Sequence, residues 1–170
     1  MAEPRWLDDR EMRAWSGFLA ASALVNRRLD QQLKDEAGLS HPQYEILVRL
    51  AAAPGRELRM TELANGLINS KSGLTYQVTQ MEKAGLVRRR SCPSDVRGVF
   101  AVLTDAGSAK LEEAAPGHVA TVREILVDVL TTEQLDALAD GLGEVGRRLR
   151  GEATGTAATA SEVSRPDIGV

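Results

Sequence analysis

The stretch that decides the fold is Ser70–Arg90, with the sequence SKSGLTYQVTQMEKAGLVRRR. At about 100° per residue, Leu74, Val78 and Met81 fall on one face of a helix, and polar side chains fall on the opposite face. Gly85 is the residue type expected just beyond a helix C-terminus. The segment therefore predicts a helix that ends near Ala84, with one side in a core and one hydrogen-bonding side facing outward.

Two strand-like runs follow this helix. The runs LVRRR (86–90) and VFAVL (99–103) are rich in β-branched and apolar residues, and Pro93 and Gly98 lie in the connection between them. We therefore expect a hairpin with a long tip over residues 91–98, which carries Arg97.

Helical patterns precede this unit. Residues 8–36 repeat apolar side chains at steps of three, four and seven, which predicts a long amphipathic helix ended by Gly38. Ser40 and Gln43 have the spacing of a capping box for a second helix, which ends at Pro54–Gly55. Thr61 is expected to cap a short third helix.

Helical patterns also follow the hairpin. A helix is expected from Asp105 onward, with a kink or break at Pro116–Gly117. Thr131 and Gln134 form a second capping signal, and the apolar residues behind it have heptad spacing: Leu135, Leu138, Leu142, Val145 and Leu149. Residues 151–170 are low in large apolar side chains and are predicted to be a disordered tail.

Together these elements predict a mainly α protein of the α+β type. Residues 40–104 have the element order of a winged helix-turn-helix with a two-stranded wing, in which the third helix enters a DNA major groove and Arg97 reaches the backbone or minor groove. The helix of residues 8–36 and the helices of 105–150 carry apolar faces that need a partner surface, so they are assigned to dimerisation. An alternative is a winged helix used only for protein association.

Composition and charge restrict the function further. Of 170 residues, 43% are apolar and 26% are charged, which is enough for a core, and the net charge is −3. Residues 56–104, however, contain eight Lys or Arg and four Asp or Glu. This local excess of positive charge is compatible with phosphate binding, although a charge fluctuation of ordinary size would look the same.

Several classes of protein are disfavoured. No stretch approaches the roughly 18 to 20 apolar residues of a membrane span, and no signal peptide is recognisable, so we expect a cytoplasmic protein without a membrane partner. A single cysteine and two widely separated histidines offer no disulfide framework and no metal-ligand spacing. No phosphate loop, nucleophile elbow or paired carboxylate motif is present, so neither an enzyme nor a cofactor is expected.

The order of motifs resembles the MarR (multiple antibiotic resistance regulator) family of transcription factors. The resemblance covers residues 10–150 and is carried by LSHPQYEILVRL, RMTELANGL, the helix ending in GLV before arginines, DVRG at 95–98, and LTDAG at 103–107. It implies a triangular homodimer whose terminal helices interlock. Its two winged domains would then reach successive major grooves of a palindromic double-stranded DNA operator.

The resemblance also implies roles for individual residues. Asp95 would buttress the wing arginine, Arg97, and Arg89 would be a partner of Asp95. Tyr76 stands where many relatives have arginine, which leaves the base preference open, because tyrosine cannot make a bidentate contact with guanine. The predicted DNA-binding residues are Ser70, Lys71, Ser72, Thr75, Tyr76, Thr79, Gln80, Lys83, Arg88, Arg90 and Arg97.

A small-molecule response is implied as well. Many members carry a pocket between the dimerisation helices and the winged domain, often for aromatic acids or phenols, and its occupation lowers DNA affinity. The candidate pocket residues here are Trp15, His41, Tyr44, Arg49 and His118. Trp15 and Tyr44 also fit apolar stripes of the core, and His41 also fits a helix-start surface. Cys92 offers the alternative of a redox-sensing regulator, although an inert thiol is the favoured interpretation of a single cysteine near the hairpin.

Overall fold

The computed structural model describes residues 3–66, 71–92, 95–149 and 151, without the side chains of 71, 72, 92 and 95–97. The helices and strands follow in the order α1 (Asp9–Ala37), α2 (His41–Ala52), β1 (Glu57–Arg59), α3 (Met60–Gly66), α4 (Lys71–Lys83), β2 (Val87–Cys92), β3 (Asp95–Leu103), α5 (Asp105–Val122) and α6 (Thr132–Leu149). The predicted winged helix-turn-helix, flanked by long helices, is confirmed. No helix in this described part of the chain is long and apolar enough to cross a membrane.

The predicted helix boundaries agree with the capping contacts. Asp8 and Glu11 form a capping box at the start of α1, and Gly38 ends the helix in the left-handed conformation with φ 66°. Ser40 and Gln43 form the predicted capping box of α2. These local signals act within four residues, so the sequence alone could resolve them.

The core lies between α2, α3, α4 and the sheet, with the C-terminal part of α1 packed on it. Leu74, Val78 and Met81 of α4 are each no more than 2% exposed, so the predicted apolar face of this helix is confirmed. Leu33 of α1 and Leu47 of α2 are fully buried in the same cluster. One face of α4 is thereby fixed in the core, and its opposite face remains available for contacts outside the chain.

The sheet has three strands in the order β1-β3-β2, all antiparallel. The sequence missed β1, because three residues are too short for a periodic pattern. The predicted long tip of the hairpin is also wrong: the strands remain paired as far as Cys92 and Asp95, with an irregularity after Ser91. A bulge of this kind allows pairing to continue past residues that break a regular ladder.

Two further local predictions are wrong. Thr61 lies inside the first turn of α3 and does not cap it; the Glu62 carboxylate instead accepts a hydrogen bond from the Arg59 N–H at 3.0 Å. Helix α5 continues through Pro116, so the expected break is absent, while a kink stays a prediction. The helix lies close to α1 here, since a Cβ on Gly117 would lie 2.2 Å from Oε2 of Glu36.

The C-terminal helices leave apolar surface exposed. A single turn of π-helix, Arg123–Val127, follows α5, and Thr131 and Gln134 then form the predicted capping box of α6. None of the residues of α6 is buried in the single chain. Leu142 is 43% exposed and Val145 is 52% exposed. This helix therefore has an apolar face that its own chain does not cover.

Candidate nucleic-acid interface

The outward face of α4 is polar and accessible. Thr75 and Lys83 are exposed, and Tyr76 is 62% exposed, while Thr79 and Gln80 are half-buried. The structure thus brings these five predicted DNA-binding residues together on the side of α4 opposite the core. A helix held by its apolar side with hydrogen-bonding groups outside has the arrangement needed to read base edges in a major groove.

Thr79 is less free than the sequence suggested. Its hydroxyl donates to the Thr75 carbonyl oxygen at 2.8 Å and accepts from Nη2 of Arg89 at 2.7 Å. The hydroxyl proton and one of the two hydroxyl lone pairs are therefore used within the chain. The DNA contact of Thr79 stays a prediction, and the second lone pair and the methyl group are the parts of the side chain left for it.

The Arg89 side chain binds residues of α4. Its guanidinium donates to Oε2 of Glu82 at 3.2 Å, to the Thr75 carbonyl at 3.1 Å and to Thr79 as above, while its backbone N–H donates to Oε1 of Glu82 at 2.9 Å. The predicted partner, Asp95, has a side chain outside the described residues, so that ion pair stays a prediction. The sequence analysis did not single out Glu82, which lies seven residues before Arg89 in MEKAGLVRR.

The Arg90 side chain binds residues of the sheet. Its Nη2 lies 2.6 Å from Oε1 of Glu57 and its Nε lies 3.2 Å from Oε2, and its guanidinium stacks 4.7 Å from the centre of the Phe100 ring. The predicted DNA contact of Arg90 stays a prediction, although its charge is already paired within the chain and its side chain is one-third exposed. The sequence could not reveal this partner, which is 33 positions away.

Arg88 and Arg90 lie on the other face of the sheet from Arg89. In the register, Arg89 pairs with Ala101, which in turn pairs with Leu58, whereas Arg90 pairs with Phe100 and Arg88 with Val102. Since Arg89 contacts α4, Arg88 points away from that helix. Arg88 is exposed, and no contact of its side chain is found among the described residues. It remains available to an outside phosphate, but not beside the face of α4.

A cleft lies between the base of the wing and the recognition helix. Its volume is about 470 Å³, and it is lined by Arg59, Met60, Thr61, Thr75, Arg89, Gly98 and Val99. Its described lining includes two arginines, and Thr61 is exposed. Arg59 also stacks 5.3 Å from the centre of the Phe100 ring. Arg59 and Thr61 were not singled out from the sequence, although the run RMTE places both at the start of α3.

Some predicted residues cannot be placed. Ser70, residues 93 and 94 of the hairpin tip and residues 152–170 of the predicted tail lie outside the described residues. The side chains of Lys71, Ser72, Cys92, Asp95 and Arg97 lie outside them as well.

The proposed effector residues separate into different places. The His118 ring lies 4.3 Å from the Tyr44 ring and 5.9 Å from the His41 ring, centre to centre, at the contact of α2 and α5. Trp15 instead stacks on Phe18. Asp30 of α1 lies beside the cluster, because its carboxylate accepts a hydrogen bond from the His41 N–H. Trp15 precedes Asp30 by 15 residues of α1, which is about 22 Å at 1.5 Å per residue. Trp15 is therefore removed from this cluster, and Arg49 is an exposed residue of α2.

Burial shapes the titration of the histidine cluster. Tyr44 is only 7% exposed, which agrees with a core position, and burial raises the pKa of its hydroxyl. Burial, assisted by the neighbouring His41, lowers the pKa of His118. Nδ1 of His118 and Oε1 of Gln32 are buried without a hydrogen-bond partner. The described residues contain no group of three or more His, Cys, Asp or Glu that could hold a metal ion.

The fold and this surface define a class, the winged helix-turn-helix proteins with long flanking helices. The MarR family model matches residues 39–99. The regulator PecS of Dickeya dadantii is 30% identical over 84% of this chain and 86% of its own length. A MarR family regulator from Streptomyces coelicolor, solved in complex with DNA, is 45% identical with a TM-score of 0.83, covering 87% of this chain and 92% of its own.

A second Streptomyces coelicolor structure, the MarR family regulator AbsC, agrees with these matches. It is 43% identical with a TM-score of 0.80, and the similarity covers 87% of this chain and 99% of AbsC. The chain belongs to the MarR family of transcriptional regulators, which are not enzymes. The resemblance noted in the sequence is thereby confirmed.

Proposed function

We propose that this protein is a homodimeric regulator that binds a palindromic double-stranded DNA operator in the cytoplasm and represses transcription. The observation that carries the proposal is the outward face of α4, which is polar, accessible and adjacent to a cleft lined by Arg59 and Arg89. The similar Streptomyces coelicolor regulator was solved in complex with DNA. Repression is supported by the relative named as the repressor YetL of Bacillus subtilis, 31% identical over 112 residues.

The described contacts support a division of labour among the residues. Thr75, Tyr76 and Gln80 are proposed to meet base edges, because they lie on the outward face of α4. Lys83, Arg59 and Thr61 are proposed to meet the phosphate backbone at the ends of this face. Ser70, Lys71, Ser72 and Arg97 keep their predicted DNA contacts.

The dimer is proposed from the uncovered apolar faces. A groove of about 710 Å³ separates the N-terminal half of α1 from α6, and its lining includes Trp15, Phe18, Leu138, Leu142 and Val145. Apolar surface of this extent is unusual on a soluble monomer. The same helices of a second copy are the proposed cover. Light scattering at micromolar concentration should give the mass of a dimer, and a monomer would refute this part.

An aromatic or phenolic effector remains part of the proposal, with a smaller set of residues. His41, Tyr44 and His118 lie together where the dimerisation helix α5 meets α2 of the winged domain. A ligand bound there would act on both units at once. Isothermal titration with simple phenolic acids, repeated with His118→Ala, tests this part; equal heats from both proteins would remove the cluster from effector binding.

Two alternatives make different predictions. A winged helix for protein association alone would expose apolar side chains on its third helix, whereas the outward face of α4 is polar apart from the Tyr76 ring. A redox regulator would depend on the Cys92 thiol, and DNA binding by Cys92→Ser would then no longer respond to peroxide.

The central test is DNA binding by the wild-type protein. Selection from a randomised duplex pool should recover an inverted repeat with half-sites about one helical turn apart. Titration of the recovered duplex and of a scrambled duplex at several salt concentrations should show tighter binding to the recovered one and a linear loss of log affinity with log salt. Equal affinity for both duplexes would refute sequence-specific regulation.

A further inference from the structure

Arg89 joins the wing to the recognition helix at three acceptors. Thr75, Thr79 and Glu82 lie at positions i, i+4 and i+7 of α4, so they follow one side of the helix over two turns. The planar guanidinium reaches all three, and the Arg89 backbone N–H adds a fourth hydrogen bond, to Glu82. A rotation of α4 about its own axis would break these contacts together.

Glu82 is an acidic residue at the C-terminal end of α4. It is the second-last residue of α4, near the negative end of the helix dipole, where an anion is disfavoured. It is also 37% exposed, in a segment that is otherwise rich in positive charge and is proposed to face phosphates. A carboxylate here repels DNA. The carboxylate contributes its hydrogen bonds with Arg89 instead.

We propose that Glu82 and Arg89 form a latch that determines sequence specificity by fixing the rotation of α4 relative to the wing. This inference rests on the proposed DNA-binding function. Neither residue is assigned a base contact; both are positioning residues. Hydrogen bonds to base edges require the correct rotation of the helix, whereas phosphate attraction tolerates small rotations. Loosening the latch therefore reduces discrimination between sequences more than it reduces binding as such.

The latch and simple charge repulsion predict opposite signs for one variant. Glu82→Gln removes a negative charge from each subunit, which by itself tightens binding to every duplex. If the latch operates, the same variant binds the selected duplex more weakly and the scrambled duplex equally or more tightly. The affinity ratio should fall at least about tenfold, the value of one well-made base contact.

Arg89→Lys is the second variant that tests the latch. It keeps the positive charge, but a point-charge ammonium cannot reproduce the planar fork that reaches three acceptors. The ratio of the affinities for the selected and scrambled duplexes should fall as for Glu82→Gln, with the salt dependence of binding unchanged. The double variant should have a ratio no lower than that of the more affected single variant. Glu113→Gln is the matched control, because it breaks an exposed ion pair with Lys110 on α5, away from α4.

The experiment uses the full-length dimer, with the selected and scrambled duplexes titrated at three salt concentrations. Thermal unfolding of each variant is recorded, and affinities are measured well below the lowest midpoint. A reduced ratio in Glu82→Gln and Arg89→Lys, with Glu113→Gln like wild type, supports the latch. Unchanged ratios in both variants, or equal losses on both duplexes, overturn it. Failure of the wild-type protein to discriminate the duplexes would instead overturn the proposed function.

Discussion

Arg90 and Lys83 have the same charge and were both predicted to bind phosphate, yet the structure separates them. Lys83 is exposed at the C-terminal end of α4, whereas Arg90 is bound by both oxygens of Glu57 and stacks on Phe100. We therefore expect Lys83→Ala and Arg90→Ala to fail in different assays. The first should lose DNA affinity and the second should lose folding stability.

The magnitudes follow from the contacts. Each phosphate contact contributes about 0.9 to the slope of log affinity against log salt, so Lys83→Ala should make the slope of a dimer shallower by about two. Arg90→Ala should leave the slope unchanged. It removes two hydrogen bonds to a carboxylate that is 28% exposed and a cation–π contact, so the free energy of unfolding should fall by about 1 to 3 kcal/mol.

Two measurements on each variant check this prediction. Fluorescence anisotropy with a labelled duplex at several salt concentrations gives the slope, and denaturant unfolding at a fixed protein concentration gives the stability. Both variants should retain the ratio between selected and scrambled duplexes. An Arg90→Ala slope as shallow as that of Lys83→Ala, with unchanged stability, would refute the assignment of Arg90 to the sheet.

Three further predictions concern specificity, packing and pH. Tyr76→Ala should bring the affinities for selected and scrambled duplexes closer by about 1 to 3 kcal/mol per subunit without a loss of stability, because the side chain is 62% exposed; an unchanged ratio in parallel titrations would remove Tyr76 from base reading. Gly107→Ala should lower the free energy of unfolding, measured with denaturant, by about 1 to 3 kcal/mol or more, because its Cβ would lie 2.1 Å from the Leu86 carbonyl oxygen. Gly141→Ala is the control, because a Cβ at Gly141 meets open space. Burial lowers the pKa of folded His118 below its ordinary value of 6.5, so the stability gained from its neutral form is present above pH 6.5 and is lost as the pH falls from there through the folded pKa. Unfolding free energies should therefore fall less steeply below pH 6.5 in His118→Gln than in wild type, and parallel curves would contradict the burial of a neutral His118.

Much of the fold was readable from the chain because its signals are local. The capping boxes at Ser40 and Thr131 and the left-handed Gly38 each depend on neighbours within a few residues. The buried face of α4 follows from the helical period alone. The order of these elements, together with the motif resemblance, was sufficient for the winged fold and the family.

The side-chain partners of the three consecutive arginines 88–90 could not be predicted from local sequence patterns. Strand alternation predicts that Arg89 points to one face and its two neighbours to the other, but it cannot say which face carries α4. The pairing of β1 with β3 brings Glu57 to Arg90, and the packing of α4 brings Glu82 and Thr79 to Arg89. Likewise, the close approach of α5 to Glu36 of α1 at Gly117 joins residues about 80 positions apart. The sequence determined which segments are helix or strand and which helix face is buried, since those depend on nearby residues. Only the tertiary structure decided which charges are paired within the chain and which remain for DNA, because the partners come from elements distant in sequence.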